Sequence, residues 1–209
     1  MTVGLGTGST VYFTLLALAE RIRDEGLEIR GVPTSLDTEE KAREFGIPLV
    51  TLADVERLDV TIDGADEIDA AFDMIKGGGG ALLREKVVAS MTQKQVIVVG
   101  ASKRVSSLGG GFLLPVEVVP FARPAVLKRL EAMGLVCTLR MQSSGQPYRT
   151  DNQNEILDCA FPKGIQDTRA MDRELNAIPG VVENGLFVGL AHVLVVGADD
   201  GSSEVFLKP

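Results

Sequence analysis

The first segment whose residues can do chemistry is a glycine-rich turn, GLGTGST at residues 4–10, between a predicted strand and a predicted helix. Glycines let the backbone approach an anion closely, and free N–H groups at a helix start bind phosphate oxygens. With the hydroxyls of Thr7, Ser9 and Thr10, these N–H groups predict a phosphate-binding loop. A turn that only packs a strand tightly against a helix is the alternative.

Two nucleotide-binding patterns fit this turn less well. The dinucleotide pattern G-x-G-x-x-G needs glycine where Ser9 stands, and the P-loop pattern needs lysine where Gly8 stands. A small phosphorylated ligand is therefore favoured over a nucleotide.

The second segment, DGADEID at residues 63–69, places four carboxylates directly after an apolar strand. Asp63 and Asp66 flank a Gly-Ala turn, and this spacing can direct both carboxylates into one crevice, where they hold sugar hydroxyls or exchange protons. Two alternatives remain open: a solvated acidic turn, and a divalent metal site formed by Asp63, Asp66 and Glu67.

The third segment, KGGGGALLREK at residues 76–86, runs four glycines into a helix. Each glycine costs backbone entropy on folding, so such a run indicates close approach of the backbone to a ligand. Lys76 can stabilise a developing oxyanion, and Glu85, expected in the second helical turn, can act as a general base. An ordinary surface carboxylate between Arg84 and Lys86 is the alternative for Glu85.

The remaining polar candidates are less specific. Lys103 follows a predicted strand at residues 95–99 and can supply a counter-charge for phosphate. The single histidine, His192, is interpreted as structural because no catalytic arrangement surrounds it. The two cysteines, Cys137 and Cys159, are too few for a disulfide framework and are expected to be reduced, buried thiols without a role.

The elements that position these segments follow a βαβ pattern over the first 120 residues, which predicts a doubly wound, mostly parallel α/β sheet. We expect strands at residues 3–5, 27–32, 47–50, 58–62 and 95–99, and helices at residues 9–25, 38–45 and 81–91. Ser9 or Thr10 is expected to cap the first helix and Gly26 to close it. Ligands of such sheets bind at the carboxyl ends of the strands, where all four segments lie.

Beyond three prolines, the pattern changes to a small α+β unit. We expect helices at residues 125–133 and 168–177, strands at residues 135–141, 155–161 and 181–187, and a final hairpin at residues 192–197 and 204–207 that returns to the first sheet. The predicted domains are residues 1–121 plus 192–209, and residues 122–191.

Composition limits the function classes. The 209 residues are 45% hydrophobic, and the net charge of −8 disfavours nucleic acid as the main partner. No apolar run approaches the roughly 20 residues of a membrane span, so no membrane partner is expected. With no secretory signal pattern at the start, we expect a cytoplasmic protein.

In this order and spacing, the four segments resemble the ribose-5-phosphate isomerase A family. The shared motifs are GLGTGST, VPTS at 32–35, IDGADEI at 62–68, IKGGGGALLREK at 75–86, LPVEVVP at 114–120 and NAIPGVV at 176–182. The resemblance implies a Rossmann-like domain completed by the C-terminal strands, with a smaller ferredoxin-like α+β domain inserted before them. It also implies interconversion of ribose 5-phosphate and ribulose 5-phosphate without cofactor or metal, in a homodimer or homotetramer.

The resemblance also implies roles for individual residues. Glu85 would move the proton between C1 and C2, Lys76 would stabilise the enediolate, and Asp63 or Asp66 would assist ring opening and hydroxyl proton transfer. Substrate would be bound by these residues: Thr7, Gly8, Ser9, Thr10, Asp63, Gly64, Ala65, Asp66, Lys76, Gly77, Gly78, Gly79 and Lys103. A sugar-phosphate sensor without turnover is the rival reading, which the presence of both Glu85 and Lys76 disfavours. Family members usually begin with a further helix that contributes a lysine near the phosphate, so weaker phosphate affinity or stability is expected for a chain starting at Met1.

Overall fold

The computed structural model describes residues 1–208 and divides into two compact units. The first contains residues 1–65, 84–103 and the segment from Leu190 onward, and the second contains residues 66–83 and 104–189. In chain order the elements are β1 (Thr2–Leu5), α1 (Ser9–Glu25), β2 (Arg30–Pro33), α2 (Leu36–Glu44), β3 (Leu58–Asp63), β4 (Glu67–Ile68), β5 (Met74–Ile75), α3 (Leu82–Ser90), β6 (Thr92–Gly100), β7 (Leu114–Val118), α4 (Arg123–Ala132), β8 (Val136–Leu139), β9 (Glu155–Ala160), α5 (Thr168–Asn176), β10 (Val181–Asn184), β11 (Leu186–Phe187), β12 (Val193–Gly197) and β13 (Ser203–Leu207).

The first unit is built on a six-stranded sheet of order β13-β12-β6-β3-β1-β2. All neighbours are parallel except the hairpin β12–β13, so the predicted doubly wound α/β sheet is confirmed. The hairpin returns to this sheet, as expected, and its strand β12 pairs with β6. His192 supports the hairpin, because its Nδ1 accepts a hydrogen bond from the Gln95 N–H at 3.1 Å.

Local signals explain where the helices begin and end. Gly26 closes α1 in the left-handed conformation that an L side chain disfavours, as predicted. The N-cap of α1 is Gly8, however, so the expectation of a Ser9 or Thr10 cap is wrong. Both residues already lie in the first helical turn, where their side chains cannot cap the helix. In α2 the cap is Ser35, whose hydroxyl accepts the Thr38 N–H.

The second unit contains the ferredoxin-like fold. Its elements β7, α4, β8, β9, α5 and β10 form a βαββαβ unit whose antiparallel sheet has the order β10-β7-β9-β8. The core lies between this sheet and its helices and includes Val116, Leu130, Leu157 and Leu175, all fully buried. A short sheet of order β11-β5-β4 belongs to the same unit.

Three sequence-based boundaries differ from the structure. Residues 66–83 and 104–121 belong to the second unit and not to the first. β4 and β5 form a sheet with β11, and β7, which the sequence pattern did not reveal, is the strand between β9 and β10. The expected strand 47–50 makes only a single bridge, between Gly31 and Leu49. The expected strand 181–187 is interrupted at Gly185, so β10 pairs with β7 while β11 pairs with β5.

The cysteines also differ from expectation. Cys137 of β8 and Cys159 of β9 are directly opposite each other in the antiparallel register, and they form a disulfide. The expectation of two reduced thiols is therefore wrong: strand pairing places together two residues that are 22 positions apart.

No helix within residues 1–208 is long and apolar enough to cross a lipid bilayer.

Candidate active site

Two of the predicted segments flank the point where the parallel sheet of the first unit changes direction. The chain passes from β1 to β2 on one side of β1, while β3 lies on its other side. In open α/β sheets, ligands bind at the carboxyl ends of the strands at such a switch point. The glycine-rich loop after β1 and the Asp63–Gly64–Ala65 turn after β3 occupy these positions.

Asp63 is held rigidly at the end of β3. Its side chain is fully buried, and Oδ1 accepts hydrogen bonds from the N–H groups of Thr7 at 3.1 Å and Gly64 at 2.8 Å. The loop comes this close because residue 6 is glycine: a Cβ there would overlap the Asp63 carboxyl group. The glycine-rich loop after β1 and the Asp63 carboxylate therefore pack directly against each other.

A cluster of hydroxyl groups supports the same loop. The Thr7 hydroxyl lies 2.7 Å from that of Thr34 and 2.9 Å from that of Ser35, and the Thr38 hydroxyl donates to the Gly6 carbonyl at 2.8 Å. Sequence reasoning noted the VPTS motif but gave it no role. The structure shows that these hydroxyls fix the loop, and that the Thr7 side chain is directed toward them.

The other residues of the first unit that are predicted to bind phosphate are more exposed than Asp63. Gly8, with φ of 106°, precedes α1 without any side-chain cap, and Ser9 and Thr10 follow it on the surface. The first-turn N–H groups of α1 thus have no capping side chain, which suits an anion. Lys103 ends a short 3₁₀ turn (Ala101–Lys103) after β6, at the carboxyl end of another parallel strand, and is half-buried.

Glu85 is buried. It lies in the first turn of α3, not the second as expected, and its exposed fraction is only 5%. The alternative of an ordinary surface carboxylate is therefore wrong. A carboxylate is favoured near a helix N-terminus, because the helix dipole places partial positive charge there.

In the second unit, Asp66 and the glycine run are joined directly. The Gly78 N–H donates to Asp66 Oδ2 at 2.8 Å, and the Asp66 N–H donates to the Ile75 carbonyl at 2.9 Å. A Cβ at residue 78 would press on the Asp66 carboxyl group, so this contact requires glycine. The carboxylate is thereby held against the loop that follows β5.

Lys76 stands at the entrance of the same glycine run. Its N–H donates to the Gly185 carbonyl at 2.9 Å, its side chain is 2% exposed, and Nζ lies 5.5 Å from the centre of the Phe187 ring. A lysine ammonium in such a site is a strong local positive charge, because little water screens it.

Glu67 has a supporting role. Both of its oxygens accept backbone bonds, from Gly109 N–H at 2.7 Å and Gly111 N–H at 3.2 Å. Across residues 1–208 the structure brings together no group of three His, Cys, Asp or Glu side chains that could hold a metal ion.

Two residues that sequence reasoning missed contact the glycine run. Arg140 donates to the carbonyls of Gly77 and Gly78, and Tyr148 donates to the carbonyl of Gly79. These partners are more than 60 residues apart in the chain, so no local pattern reveals them.

Comparison with known proteins gives a consistent result. The family model of ribose 5-phosphate isomerase A (phosphoriboisomerase A) matches residues 30–201. The ribose-5-phosphate isomerase A of Listeria innocua is 50% identical over 208 residues, which cover 100% of this chain and 92% of the relative.

Solved structures agree with this match. The ribose 5-phosphate isomerase A of Methanocaldococcus jannaschii superposes with a TM-score of 0.94 at 39% identity, over 100% of this chain and 91% of that one. A D-ribose-5-phosphate isomerase in complex with phospho-erythronic acid gives a TM-score of 0.95 at 38% identity, over 99% and 90% of the two chains. With its doubly wound and ferredoxin-like units and its fitted loops, this chain belongs to the ribose 5-phosphate isomerase A family.

Proposed function

We propose that this chain interconverts D-ribose 5-phosphate and D-ribulose 5-phosphate by proton transfer through an enediolate, with Glu85 as the base. The observation that carries the proposal is the burial of Glu85 in the first turn of α3, in a chain that belongs to the ribose 5-phosphate isomerase A family. A buried glutamate in the helix that follows a glycine run has no evident use for binding alone.

The phosphate is assigned to the first unit. The uncapped N–H groups at the start of α1, including the region of Gly8, and the exposed hydroxyls of Ser9 and Thr10 donate to its oxygens. Lys103 adds positive charge. Thr7 contributes through the loop backbone, because its hydroxyl is already engaged with Thr34 and Ser35.

The sugar is assigned to the two short turns that carry the aspartates. Asp63, with Gly64 and Ala65, and Asp66, with Lys76, Gly77, Gly78 and Gly79, are proposed to contact the sugar hydroxyls. Both carboxylates are held by backbone N–H groups, so their orientations are set before substrate binds. Either can move the O1 hydroxyl proton to the ring oxygen O4 when the ring opens, and can later move the O2 proton to O1.

The central step is a proton transfer. Glu85 removes the proton from C2 of the open-chain aldose, the C–H electrons form the C1–C2 double bond, and the carbonyl oxygen O1 takes up the negative charge. Return of the proton to C1, with transfer of the O2 proton to O1, yields the ketose, so no redox partner is needed. The Lys76 ammonium stabilises the charge as it develops on oxygen.

Turnover of ribose 5-phosphate by purified, EDTA-treated protein tests this proposal. We expect wild-type protein to form ribulose 5-phosphate and Glu85→Gln to lose at least 10² of kcat, the usual contribution of a positioned base, with little change in substrate affinity. Glu131→Gln, an exposed glutamate of α4, is the matched control and should retain wild-type kinetics.

The rival function, a sugar-phosphate sensor, predicts a different outcome. Wild-type and Glu85→Gln proteins would then bind ribose 5-phosphate equally and neither would turn it over. Wild-type turnover in Glu85→Gln would instead refute Glu85 as the base while leaving the isomerase assignment intact. Activity that disappears on EDTA treatment would favour metal-assisted chemistry.

We further propose that the protein is a homodimer or homotetramer that uses an apolar surface of the second unit. Phe121 is 95% exposed and Val119 is 40% exposed, and they border a groove of about 570 Å³ with Pro124 and Pro179. Exposed apolar patches of this kind usually bind a protein surface. Sedimentation should show an oligomer for wild type and dissociation for Phe121→Glu, whereas Phe13→Glu, at an exposed phenylalanine of α1, should leave the mass unchanged.

We also propose a cytoplasmic location, as expected for a family that acts on sugar phosphates. Disulfides are rare in reducing cytoplasm, so the Cys137–Cys159 bond counts against this location if it is present in the cell. Fractionation of cells decides the location, and alkylation of thiols before lysis shows whether the bond is present there.

A further inference from the structure

Three consecutive glycine carbonyls are bound by side chains from a distant part of the second unit. Arg140 Nη1 donates to the carbonyls of Gly77 at 2.9 Å and Gly78 at 3.0 Å. The Tyr148 hydroxyl donates to the carbonyl of Gly79 at 3.1 Å. A glycine run has the least intrinsic preference for one conformation, so these three bonds define its shape.

Arg140 is itself fixed by the sheet. It follows β8, and Asp158 of the neighbouring β9 receives a two-point ion pair: Nε donates to Oδ2 at 2.9 Å, and Nη2 donates to Oδ1. The two side chains are only 15% and 16% exposed. An arginine–carboxylate fork of this kind orients the guanidinium as well as attracting it, which leaves Nη1 aimed at the glycine carbonyls.

The orientation of these carbonyls decides where the neighbouring N–H groups point. In a trans peptide the C=O of one residue and the N–H of the next are directed oppositely, and residues 1–208 contain no cis peptide. Holding the Gly77 carbonyl directs the Gly78 N–H to Asp66 Oδ2. Holding the Gly78 carbonyl likewise turns the N–H of Gly79, an exposed residue, away from Arg140.

Tyr148 fixes the other end of the run. Its hydroxyl and ring occupy the space that a Cβ at Gly80 would need, and Gly80 has φ of 84°. The Arg140 guanidinium lies 5.9 Å from the centre of the Tyr148 ring, so the two side chains support each other. Burial raises the pKa of Tyr148 above its ordinary value, so the hydroxyl stays protonated and keeps donating at neutral pH.

We propose that Arg140, held by Asp158 and assisted by Tyr148, is a positioning residue for the isomerisation. It fixes the glycine run so that the Gly79 N–H is presented as a donor to the substrate oxygen that becomes negatively charged. The inference rests on the proposed function. It adds the side chains of Asp158, Arg140 and Tyr148, which lie outside the glycine motif, to the residues that support the reaction. Preorganised donors of this type stabilise transition states more than ground states.

The test compares two arginines of the second unit that each pair with a carboxylate of β9. Arg140→Met removes the bonds to Gly77 and Gly78, whereas Arg149→Met removes an ion pair to Glu155 that does not involve the glycine run. We expect Arg140→Met to lower kcat about 10- to 100-fold with KM within about threefold, since loss of one oxyanion donor costs about 10²–10³. Arg149→Met should keep wild-type kcat and KM.

Graded variants separate positioning from folding. Arg140→Lys keeps the charge but reaches one carbonyl at most, so kcat should be intermediate, and Tyr148→Phe, which removes one donor, should lower kcat about 3- to 10-fold. Thermal unfolding of each variant shows how much stability is lost. If Arg140→Met retains wild-type kcat, or if kcat of all variants simply follows their stability, the proposal is overturned.

A binding measurement keeps this test independent of turnover. Phospho-erythronic acid, the ligand of a solved relative, carries a carboxylate in addition to its phosphate. Arg140→Met should weaken its affinity by about the factor lost in kcat while leaving inorganic phosphate affinity unchanged. If wild-type protein does not turn over ribose 5-phosphate, the proposed function fails, and this binding difference still supports or overturns the role of Arg140. Equal weakening of the affinity for both ligands, or unchanged affinity for both, would overturn the role of Arg140. Failure of wild-type protein to bind phospho-erythronic acid would also overturn it.

Discussion

Reduction of the Cys137–Cys159 disulfide should destabilise the second unit by an amount that follows from the loop it closes. The two residues are 22 positions apart, and closing a loop of that length in the unfolded chain is worth about 3 kcal/mol. For a chain of 209 residues this corresponds to a fall in Tm of about 6–12 °C. Reduction changes no side-chain volume, so it isolates the cross-link better than a substitution at the fully buried Cys159.

The assay is thermal unfolding followed by circular dichroism, with and without a phosphine reductant. Cys137→Ala is the control, since its Tm should not respond to the reductant. Thiol titration of unreduced, denatured wild type should find no free thiol. Two titratable thiols in that sample, or a Tm change below about 2 °C on reduction, would refute the reasoning.

Three further predictions concern the site and its support. Gly6→Ala should cost about 1–3 kcal/mol and most activity because its Cβ overlaps Asp63, whereas Gly100→Ala, with open space around it, should be neutral in denaturation and kinetics. Lys103→Met should raise KM and the inhibition constant of inorganic phosphate about tenfold with kcat nearly unchanged, and an unaltered KM would remove Lys103 from the phosphate site. Burial raises the pKa of Glu117 above its ordinary value of about 4.5, so its contribution to stability is complete below that pH and is lost as the pH rises through the folded pKa. Relative to wild type, Glu117→Gln should therefore become progressively more stable in urea titrations between pH 4 and 8, and a pH-independent difference would contradict this.

Periodicity and turn residues were sufficient to predict the parallel sheet of the first unit, apart from the expected strand at residues 47–50. The apolar strands before Gly6, Asp63 and Gly100 could be recognised locally, and the parallel α/β rule then placed the polar loops at one edge of the sheet. The burial of Glu85 was not predictable from its charged neighbours Arg84 and Lys86, because burial depends on tertiary packing. The assignment of Glu85 as the base rested on its family motif and not on its spacing.

Contacts between distant residues could not be predicted. The partners of Arg140 lie 18, 62 and 63 positions away, and the Cys137–Cys159 pairing depends on the register of β8 and β9. β7 escaped recognition because Pro115 interrupts a run that is buried on both faces and so lacks alternation. The change of sheet at Gly185, between β10 and β11, was also not predictable. Glycine is needed there because of a contact with a distant residue: a Cβ would meet the Lys76 carbonyl.

The central claim, that Glu85 moves a carbon-bound proton, is tested most directly by following the substrate in D₂O by ¹H NMR. Wild-type protein should exchange hydrogen for deuterium at C1 or C2 while ribose 5-phosphate and ribulose 5-phosphate interconvert. Glu85→Gln should bind ribose 5-phosphate with near wild-type affinity in calorimetry and show no exchange beyond the buffer control. Exchange at the wild-type rate in Glu85→Gln would contradict the account.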